Sequence, residues 1–511
     1  MPTVSLLIEI LRTQPRLMFW LVTLGQALLW LAVPALFYAA PPGALADVLA
    51  IGREMNFAST FGFPLGYWLP ELALRATGGH MIGVYLLAQI CIVVTYWAIF
   101  QLGRRLVGER QALLAIMLMV GISVFTIASP DFSPDLLMMP LWALSLLLLW
   151  RAVGENRPYD FLLLAGVVAL MLFTSPLGLL LLLVMTVFVA GTARGRRAAK
   201  HIPALAAAII MMAAIILWVW LMKRNGLALT EGLPRLPEAA WLRPDMVSWL
   251  RLVATVLAAQ AGAAILIVLA ANLTRTRKTD AVAITGAPAD RFAQLMMIYG
   301  AVTPLVIMLA LAAVIGITSF SRVSPLLVAP ALAVIVAAGS VIYIHHQRLL
   351  GIVWFSLLLA PPALIALGVL LGPPLFAVDL KVAQPADDIG RYFAENFERR
   401  TGQELAVVGG DRRLATLIAL AAPSRPRVLD DGGDGRPQLA TRSDANQQGA
   451  IIVWRATDRA GTPPDAIKAQ FPEIVPEIPR AFDRLVQGRA PLLRIGWGMI
   501  RPAAPAAEPS R

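Results

Sequence analysis

Residues 17–40 read LMFWLVTLGQALLWLAVPALFYAA and contain no Asp, Glu, Lys or Arg. A helix needs about 20 consecutive apolar residues to cross the hydrocarbon core of a bilayer, so this stretch is long enough for one crossing. Further runs without these four residue types follow at 81–103, 136–150, 252–274, 323–343 and 349–378. Together these runs predict a membrane protein that crosses the bilayer several times.

The overall composition agrees with this prediction. Of the 511 residues, 14% are charged, whereas soluble domains carry roughly 25%, and the mean hydropathy is +0.72. The net charge of +12 would suggest nucleic acid as a partner for a soluble protein. Here the basic residues lie mostly in short loops between apolar segments, where they set the membrane topology. Membrane lipids are therefore expected partners, and nucleic acid is not.

The predicted fold is an all-α polytopic membrane protein of about 11 transmembrane helices with a small C-terminal soluble α/β domain. The predicted domains are a transmembrane domain at 1–372, the α/β domain at 373–500 and a disordered Pro/Ala-rich tail at 501–511. The predicted spans are 17–40, 81–103, 112–128, 135–151, 160–174, 176–192, 203–222, 252–272, 293–318, 324–344 and 349–372.

The loops alternate in charge along the chain. Loops on one side carry 16 basic residues, at the N-terminus up to residue 16, at 104–110, 151–157, 194–200 and 275–291, and at Arg348. Loops on the other side carry eight, at 41–80, at 223–251 and at Arg322. The positive-inside rule places the first set in the cytoplasm. We therefore expect a cytoplasmic N-terminus and, with an odd number of spans, a C-terminal domain on the opposite side of the membrane.

The C-terminal segment has the composition of a soluble protein and alternates helix-like with strand-like stretches. This alternation predicts an α/β fold. The predicted helices lie at 387–400 and 412–421, and the predicted strands at 405–408, 450–454 and 492–497.

Carboxylates gather in the outer loops, whereas the spans are nearly free of ionisable groups. Asp47 and Glu54 lie in the first outer loop, and Asp131 and Asp135 lie in or beside the second. Ion-coupled transporters usually carry ionisable residues within their spans, so this distribution favours chemistry at the membrane surface. Residues 44–55 have apolar side chains at helical spacing and predict a short amphipathic helix that lies on the membrane.

Several short motifs occur in a characteristic order. The first outer loop contains Gly52-Arg53-Glu54 and then PLGYW at 64–68. Ser133-Pro134-Asp135 opens a later span, and a Gly-containing span then leads into FTSPLG at 173–178. Over roughly residues 10–345 this order resembles glycosyltransferase family 39 and the related bacterial lipid A aminoarabinose transferases, which share the C-type glycosyltransferase fold.

The resemblance implies a transferase that moves a sugar from a polyprenyl-phosphate donor to a lipid, glycan or protein acceptor at the periplasmic face. An outer-loop aspartate takes the proton of the acceptor hydroxyl. Positive charge, or a divalent metal ion, stabilises the departing phosphate. The resemblance names no certain cofactor and leaves the metal open. The single cysteine, Cys91, excludes an internal disulfide, and no Cys/His zinc pattern is present.

Asp47 is the first candidate for the catalytic base, and Asp135 is the second catalytic candidate. The candidate substrate-binding residues are Arg53, Glu54, Asp131, Lys223, Arg224 and Arg322. Each also has a structural explanation. Asp47 suits the start of a helix, Ser133 and Pro134 make Asp135 part of a normal helix start, and the basic residues can anchor helix ends in lipid headgroups.

The chain departs from the family pattern at three polar positions, which fall at Ala44, Gly62 and Ser175. These departures leave a second hypothesis open, in which the chain is a non-catalytic membrane scaffold of the same fold. A lipid or polysaccharide flippase or transporter is a third hypothesis, which the uncharged spans disfavour.

Overall fold

The computed structural model describes residues 9, 12–127, 131–228, 246–271, 282–315, 320, 322–376, 380–430, 439–484 and 492–503. In chain order the helices up to residue 376 are α1 (Pro15–Phe37), α2 (Leu45–Arg53), α3 (Leu65–Ala76), α4 (Ile82–Leu106), α5 (Glu109–Val120), α6 (Pro134–Leu149), α7 (Asp160–Leu172), α8 (Leu177–Gly191), α9 (Ala193–Ala198), α10 (Ile202–Arg224), α11 (Met246–Ala259), α12 (Ala261–Ala271), α13 (Arg291–Ile315), α14 (Pro330–Ala338) and α15 (Gln347–Phe376). Short helical turns lie at Ala58–Thr60, Ser123–Phe125, Trp150–Gly154, Ser324–Val328 and Lys381–Ala383.

Six helices in the described part of the chain have the length and apolar composition needed to cross a membrane. They are α1, α4, α6 with the turn that continues it, α10, α13 and α15. The pair α11 and α12 passes the same test together with a bend of 47°, which gives up to seven spans. The chain is therefore a mostly helical, multi-span membrane protein. The count of about 11 spans stays a prediction, and α7, α8 and α14 are shorter apolar helices.

The chain divides into two compact units. The first contains residues 1–32 and 82–364, and the second contains residues 33–81 and 365–511. The first outer loop of the sequence analysis thus belongs to the same unit as the C-terminal segment. The predicted domain boundaries near residues 372 and 500 stay predictions, and most of the predicted disordered tail, 504–511, lies outside the described residues.

Two polar side chains in the apolar helices of the first unit, Gln26 and Tyr96, are hydrogen-bonded inside the protein. The Gln26 amide in α1 donates to the carbonyl oxygen of Phe125 at 2.6 Å and accepts from the Tyr96 hydroxyl of α4 at 3.1 Å. An unpaired polar group costs several kcal/mol in hydrocarbon, so these bonds favour the observed packing of α1, α4 and the turn at Ser123–Phe125.

The predicted span at 324–344 is wrong at its C-terminal end. α14 ends at Ala338, and Gly339 follows with a φ of 93°, a conformation that favours glycine. Residues Val341–Ile344 then form strand β2, which pairs antiparallel with β1 (Val282–Thr285). A short apolar run can form either a helix or a strand, so hydropathy alone could not reveal this hairpin.

The C-terminal segment of the second unit contains helices and a small sheet, and its being a soluble α/β domain stays a prediction. Its elements are α16 (Ala386–Thr401), β3 (Val407–Gly410), α17 (Arg412–Ala421), β4 (Arg427–Val428), α18 (Arg442–Gln448), β5 (Ala450–Arg455), α19 (Asp465–Gln470), β6 (Arg480–Phe482) and β7 (Leu493–Ile500). The sheet has the order β4-β3-β5-β7-β6. Strand β3 is parallel to β4 and β5, whereas β7 is antiparallel to β5 and β6.

Helix α2 forms as predicted, but its apolar face packs on protein. Ile51 belongs to the same buried cluster as Phe393, Ile418 and Trp497, and α2 contacts α17. The expectation of a helix that lies on the membrane was therefore wrong for this face. The hydrophobic spacing correctly predicted a helix with one apolar face. It does not determine whether lipid or protein packs against that face.

Candidate functional site

The GRE motif and the PLGYW motif of the first outer loop pack against each other. Gly52 faces the backbone of α3, and a Cβ at this position would clash with the carbonyl oxygen of Tyr67. Glycine at position 52 thus lets α2 approach α3 closely. This contact brings the GRE motif beside the PLGYW motif and fixes the helix that carries Asp47 and Arg53 and that Glu54 follows.

Asp47 lies in the first turn of α2 and pairs with an arginine of the C-terminal segment. The Nε atom of Arg412 donates to Asp47 Oδ1 at 2.8 Å, and the Asp47 side chain is 40% exposed. Arg412 also binds the carboxylate of Asp430. Arg412 is placed at the start of α17, where Asp411 caps the helix by accepting from the Leu414 backbone N–H at 3.0 Å. The guanidinium of Arg412, which lies in the first turn of α17, therefore orients the carboxylate of Asp47.

Glu54 follows α2 and pairs with a second arginine of the C-terminal segment. The Arg427 Nε atom lies 3.0 Å and 3.1 Å from the two carboxylate oxygens of Glu54. The hydrogen bond to Glu54 raises the pKa of the Arg427 guanidinium. Arg427 also lies 3.5 Å from Asp444, which is in the first turn of α18. Glu54 is thus bound to the C-terminal segment through a different arginine from the one that binds Asp47.

Glu71 in α3 is the most buried acidic residue of this group. Its side chain is fully buried. Arg425 donates to its two oxygens at 2.8 Å and 2.9 Å, a bidentate pairing, and Arg75 donates to it at 2.7 Å from one turn further along α3. Bidentate arginine–carboxylate pairs are stronger and geometrically more specific than single contacts.

Arg53 lacks a comparable partner. Its Nη1 atom is buried without a hydrogen-bond partner in the described part of the chain. Burial lowers the pKa of the Arg53 guanidinium, and the nearby cations Arg425 and Arg427 lower it further. The neighbouring carboxylates of Glu54 and Glu71 oppose this shift. The sequence prediction that Arg53 binds substrate stays a prediction.

Asp135 lies in the first unit, in the first turn of α6. Ser133 caps this helix through its hydroxyl, which accepts from the Leu136 backbone N–H at 3.3 Å, and Pro134 follows as the first helical residue. The Ser175 hydroxyl lies 3.5 Å from Asp135 Oδ1. The structure therefore places Asp135 beside Ser175, which is one of the three positions at which the chain departs from the family pattern.

The other predicted binding residues of the first unit lie on separate elements. Asp131 is half-buried at a bend before α6. Lys223 and Arg224 are exposed in the last turn of α10, where the Arg224 guanidinium lies 5.2 Å from the centre of the Trp220 ring. Arg322 is half-buried before the turn at Ser324–Val328, which packs against α6. Their roles as substrate ligands stay predictions.

The sequence analysis missed Glu71 and the arginines at positions 412, 425 and 427. Arg75 at helical spacing after Glu71 was the one local signal, since i,i+4 pairs of opposite charge are common on helices. Among the described residues, no group of three or more His, Cys, Asp or Glu side chains could hold a metal ion. The carboxylates of Asp47, Glu54 and Glu71 instead pair with arginines.

Comparisons with known proteins agree with this picture. Residues 62–220 match the family described as dolichyl-phosphate-mannose-protein mannosyltransferase. The fold is similar to that of ArnT from Cupriavidus metallidurans bound to undecaprenyl phosphate, with a TM-score of 0.61 and 13% identity over 97% of this chain and 99% of ArnT. The apo state of the same protein gives a TM-score of 0.60 and 13% identity over 96% and 98%.

No curated protein sequence matches the chain significantly. The family match covers the segment that contains the PLGYW, SPD and FTSPLG motifs, and the ArnT likeness covers nearly the whole fold. The resemblance predicted from the sequence is therefore confirmed: this chain resembles the glycosyltransferase family 39 and ArnT group and has its C-type glycosyltransferase fold.

Proposed function

We propose that this protein is a membrane glycosyltransferase that transfers a sugar from a polyprenyl-phosphate donor to an acceptor at the periplasmic face of the bacterial inner membrane. The likeness to ArnT, which extends over 97% of the chain, is the observation that carries this proposal. That protein was solved with undecaprenyl phosphate, which suggests the chemical class of the donor. The acceptor is proposed to be a lipid, a glycan or a protein.

In the proposed reaction, the Asp47 carboxylate takes the proton of the acceptor hydroxyl. The acceptor oxygen forms a bond to the anomeric carbon, and the bond from that carbon to the phosphate oxygen breaks. The electron pair leaves with the polyprenyl phosphate, which basic side chains stabilise. Arg412 binds Asp47 at Oδ1, so that the second oxygen, Oδ2, can receive the proton.

The proposed orientation has a cytoplasmic N-terminus and a periplasmic C-terminal domain. The excess of basic residues in the cytoplasmic set of loops supports it. The buried cluster that Ala40 and Ile51 share with the C-terminal segment supports placing the first outer loop and that segment on the same side of the membrane.

A non-catalytic scaffold of the same fold remains the second candidate. One observation favours it: Asp47, Glu54 and Glu71 each pair with an arginine of the C-terminal segment. Such pairs could serve only to hold the first outer loop on that segment. Activity measurements separate the two candidates, because a scaffold leaves envelope chemistry unchanged.

Mass spectrometry of envelope lipids and glycans tests the proposal in cells with the wild-type gene, without the gene, or with Asp47→Asn. We expect a glycosylated product that disappears without the gene and falls about 10²–10⁴-fold in Asp47→Asn, the range typical of a lost general base. Asp430→Asn is the matched control, because Asp430 binds the same arginine as Asp47.

Identical envelope lipids and glycans with and without the gene would rule out the enzyme and favour the scaffold. A normal product with Asp47→Asn, but a loss with Asp135→Asn, would move the base to Asp135. Equal losses in Asp47→Asn and Asp430→Asn would show that the ion pair, and not proton transfer, matters at position 47.

A further inference from the structure

An open cleft in the first unit lies where α1 and α5 begin, and we call it the N-terminal cleft. Its volume is about 450 Å³, within the range of about 300–1,000 Å³ that is usual for ligand sites. Its wall comes from the start of α1, the start of α5 and the loop after β1. The residues that matter below are Arg12, Pro15, Glu109, Arg110, Gly286 and Ala287.

Backbone contacts fix the wall that the loop after β1 forms. The Ala287 backbone N–H donates to the carbonyl oxygen of Val107 at 3.0 Å, and the Gly286 N–H donates to that of Ser340 at 2.8 Å. A Cβ at position 286 would clash with the Val107 carbonyl oxygen and with the Gln111 side chain. Glycine at this position thus lets the loop approach the start of α5 closely. The shape of the cleft therefore follows from the packing of β1 and its loop on α5.

The N-terminal cleft carries an excess of positive charge. Its acidic wall residue, Glu109, is already bound by arginines that do not line the cleft: Arg16 Nε donates to it at 2.8 Å, and Arg104 lies 3.8 Å away. Arg12 and Arg110 are exposed in the wall, and no ion pair is found for either of them among the described residues. The cleft thus offers two guanidinium groups without a counterion, and guanidinium groups suit the oxygens of a phosphate.

An exposed apolar stripe continues from the cleft along α1. This helix is one of the candidate membrane spans, and the cleft includes its first residue, Pro15. Four leucines that are 47–65% exposed follow at spacings of four, three and four residues, which places them on one helix face: Leu17, Leu21, Leu24 and Leu28. Such a face of a span contacts acyl chains. A ligand in the cleft therefore has positive charge beside its polar end and an acyl-chain surface next to it.

Arginines that only anchor a span reach the headgroup layer one by one. Arg12 and Arg110 instead come from different elements and line the same cleft. We propose that the N-terminal cleft binds the phosphate headgroup of one anionic phospholipid from the adjacent leaflet. The two guanidinium groups bind the phosphate oxygens, and the acyl chains lie along the leucine stripe of α1. The proposal does not depend on the transferase activity, because it concerns a lipid of the surrounding membrane and not the sugar donor.

Native mass spectrometry of the full chain in detergent tests the proposal by titration with dioleoyl-phosphatidylglycerol. Dioleoyl-phosphatidylcholine is the reference lipid, because it has the same acyl chains and no net charge. A basic residue near a membrane surface contributes about fivefold to the binding of an anionic lipid, which corresponds to about 1 kcal/mol. With two arginines, we expect the wild type to bind phosphatidylglycerol about 25-fold more tightly than phosphatidylcholine. The double variant Arg12→Gln/Arg110→Gln should lose most of this preference.

The double variant Arg196→Gln/Arg197→Gln is the matched control. Both arginines are exposed on α9, belong to the loops assigned to the same side of the membrane as Arg12, and do not line the cleft. This variant has the same net charge as the cleft variant and should retain the lipid preference. The cleft variant should fold, because its two arginines are exposed and Arg12 makes one long hydrogen bond, to the Ala283 carbonyl oxygen at 3.4 Å.

Equal affinity of the wild type for the two lipids would overturn the proposal without any variant. An equal loss of preference in the two double variants would also contradict it, because general attraction to a basic surface then explains the binding. Soluble glycerol 3-phosphate distinguishes a lipid from a free phosphate as the ligand. At the same concentration as the lipid, it should leave the bound phosphatidylglycerol unchanged. Displacement of the lipid under this condition would show that the leucine stripe contributes nothing, and the lipid site would be wrong.

Discussion

Glu71 shows how single residues join distant parts of the second unit. Its carboxylate is fully buried and lies between Arg75 of its own helix and Arg425, which is 354 positions away in the sequence. A buried charge is tolerated only when it is paired and hydrogen-bonded. The three residues therefore form one ion cluster, and loss of the carboxylate leaves both arginines without their counterion.

We expect Glu71→Gln to destabilise the protein by ~3–4 kcal/mol, the lower part of the range for a broken buried pair, because both arginines retain contact with water. The apparent melting temperature in detergent should fall accordingly. Glu473→Gln, an exposed acidic residue of the same unit, should have almost no effect. Equal melting of the two variants would show that the Glu71 cluster contributes little.

At the scale of elements, side-chain caps define the starts of α17 and α18 in the second unit. α18 begins with a reciprocal capping box: the Thr441 hydroxyl accepts from the Asp444 backbone N–H, and the Asp444 carboxylate accepts from the Thr441 backbone N–H at 2.8 Å. This backbone N–H lowers the pKa of Asp444, with smaller contributions from the Thr441 hydroxyl and Arg427. The cap thus depends on the ionised carboxylate.

A lowered pKa makes the contribution of Asp444 to stability depend on pH. The contribution is complete above the unfolded-state pKa of about 3.9 and is lost as the pH falls below that value through the folded-state pKa. We expect Asp444→Asn to melt below the wild type at about pH 7 and to approach it near pH 3. Asp465→Asn, at a fully exposed position, is the matched control and should leave the melting temperature at about pH 7 nearly unchanged.

At the scale of the whole molecule, the first outer loop and the C-terminal segment fold as one unit. Ala40 and Ile51 belong to the buried cluster of the C-terminal segment, and the loop supplies the acidic partners of Arg412, Arg425 and Arg427. A C-terminal fragment alone therefore lacks part of its core and the carboxylate partner of Arg425, whereas Arg412 and Arg427 keep only their second partners, Asp430 and Asp444.

We expect residues 380–503 expressed alone to be soluble with mixed circular dichroism, but less stable than the same fragment joined to residues 40–81 through a Gly/Ser linker. Burial of Ile51 and formation of the ion pairs should raise the melting temperature of the joined fragment by at least about 5 °C. Replacing Ile51 by Ser in the joined fragment is the control, and it should remove much of this gain. Equal melting of all three fragments would contradict the shared core.

The sequence alone determined the membrane character, the helix–strand pattern of the C-terminal segment and the family resemblance. Charge-free runs such as 349–378 predict spans because backbone groups in lipid must be satisfied within a helix. Helix α17 was predicted with its observed bounds, because residues three and four positions apart define its buried face. Both features depend only on residues that are close together in the chain, so they can be recognised in the sequence alone.

The tertiary structure alone decided which residues meet. Asp47 and Arg412 are separated by 365 positions, and no spacing rule links a short helix in an early loop to an arginine near the C-terminus. Likewise, periodicity gave α2 an apolar face, but only packing decided that Ile51 contacts the C-terminal core and not lipid. Hydrophobic burial is non-directional. The spacing of apolar residues in a helix therefore determines which face is buried, but the tertiary structure determines what packs against that face.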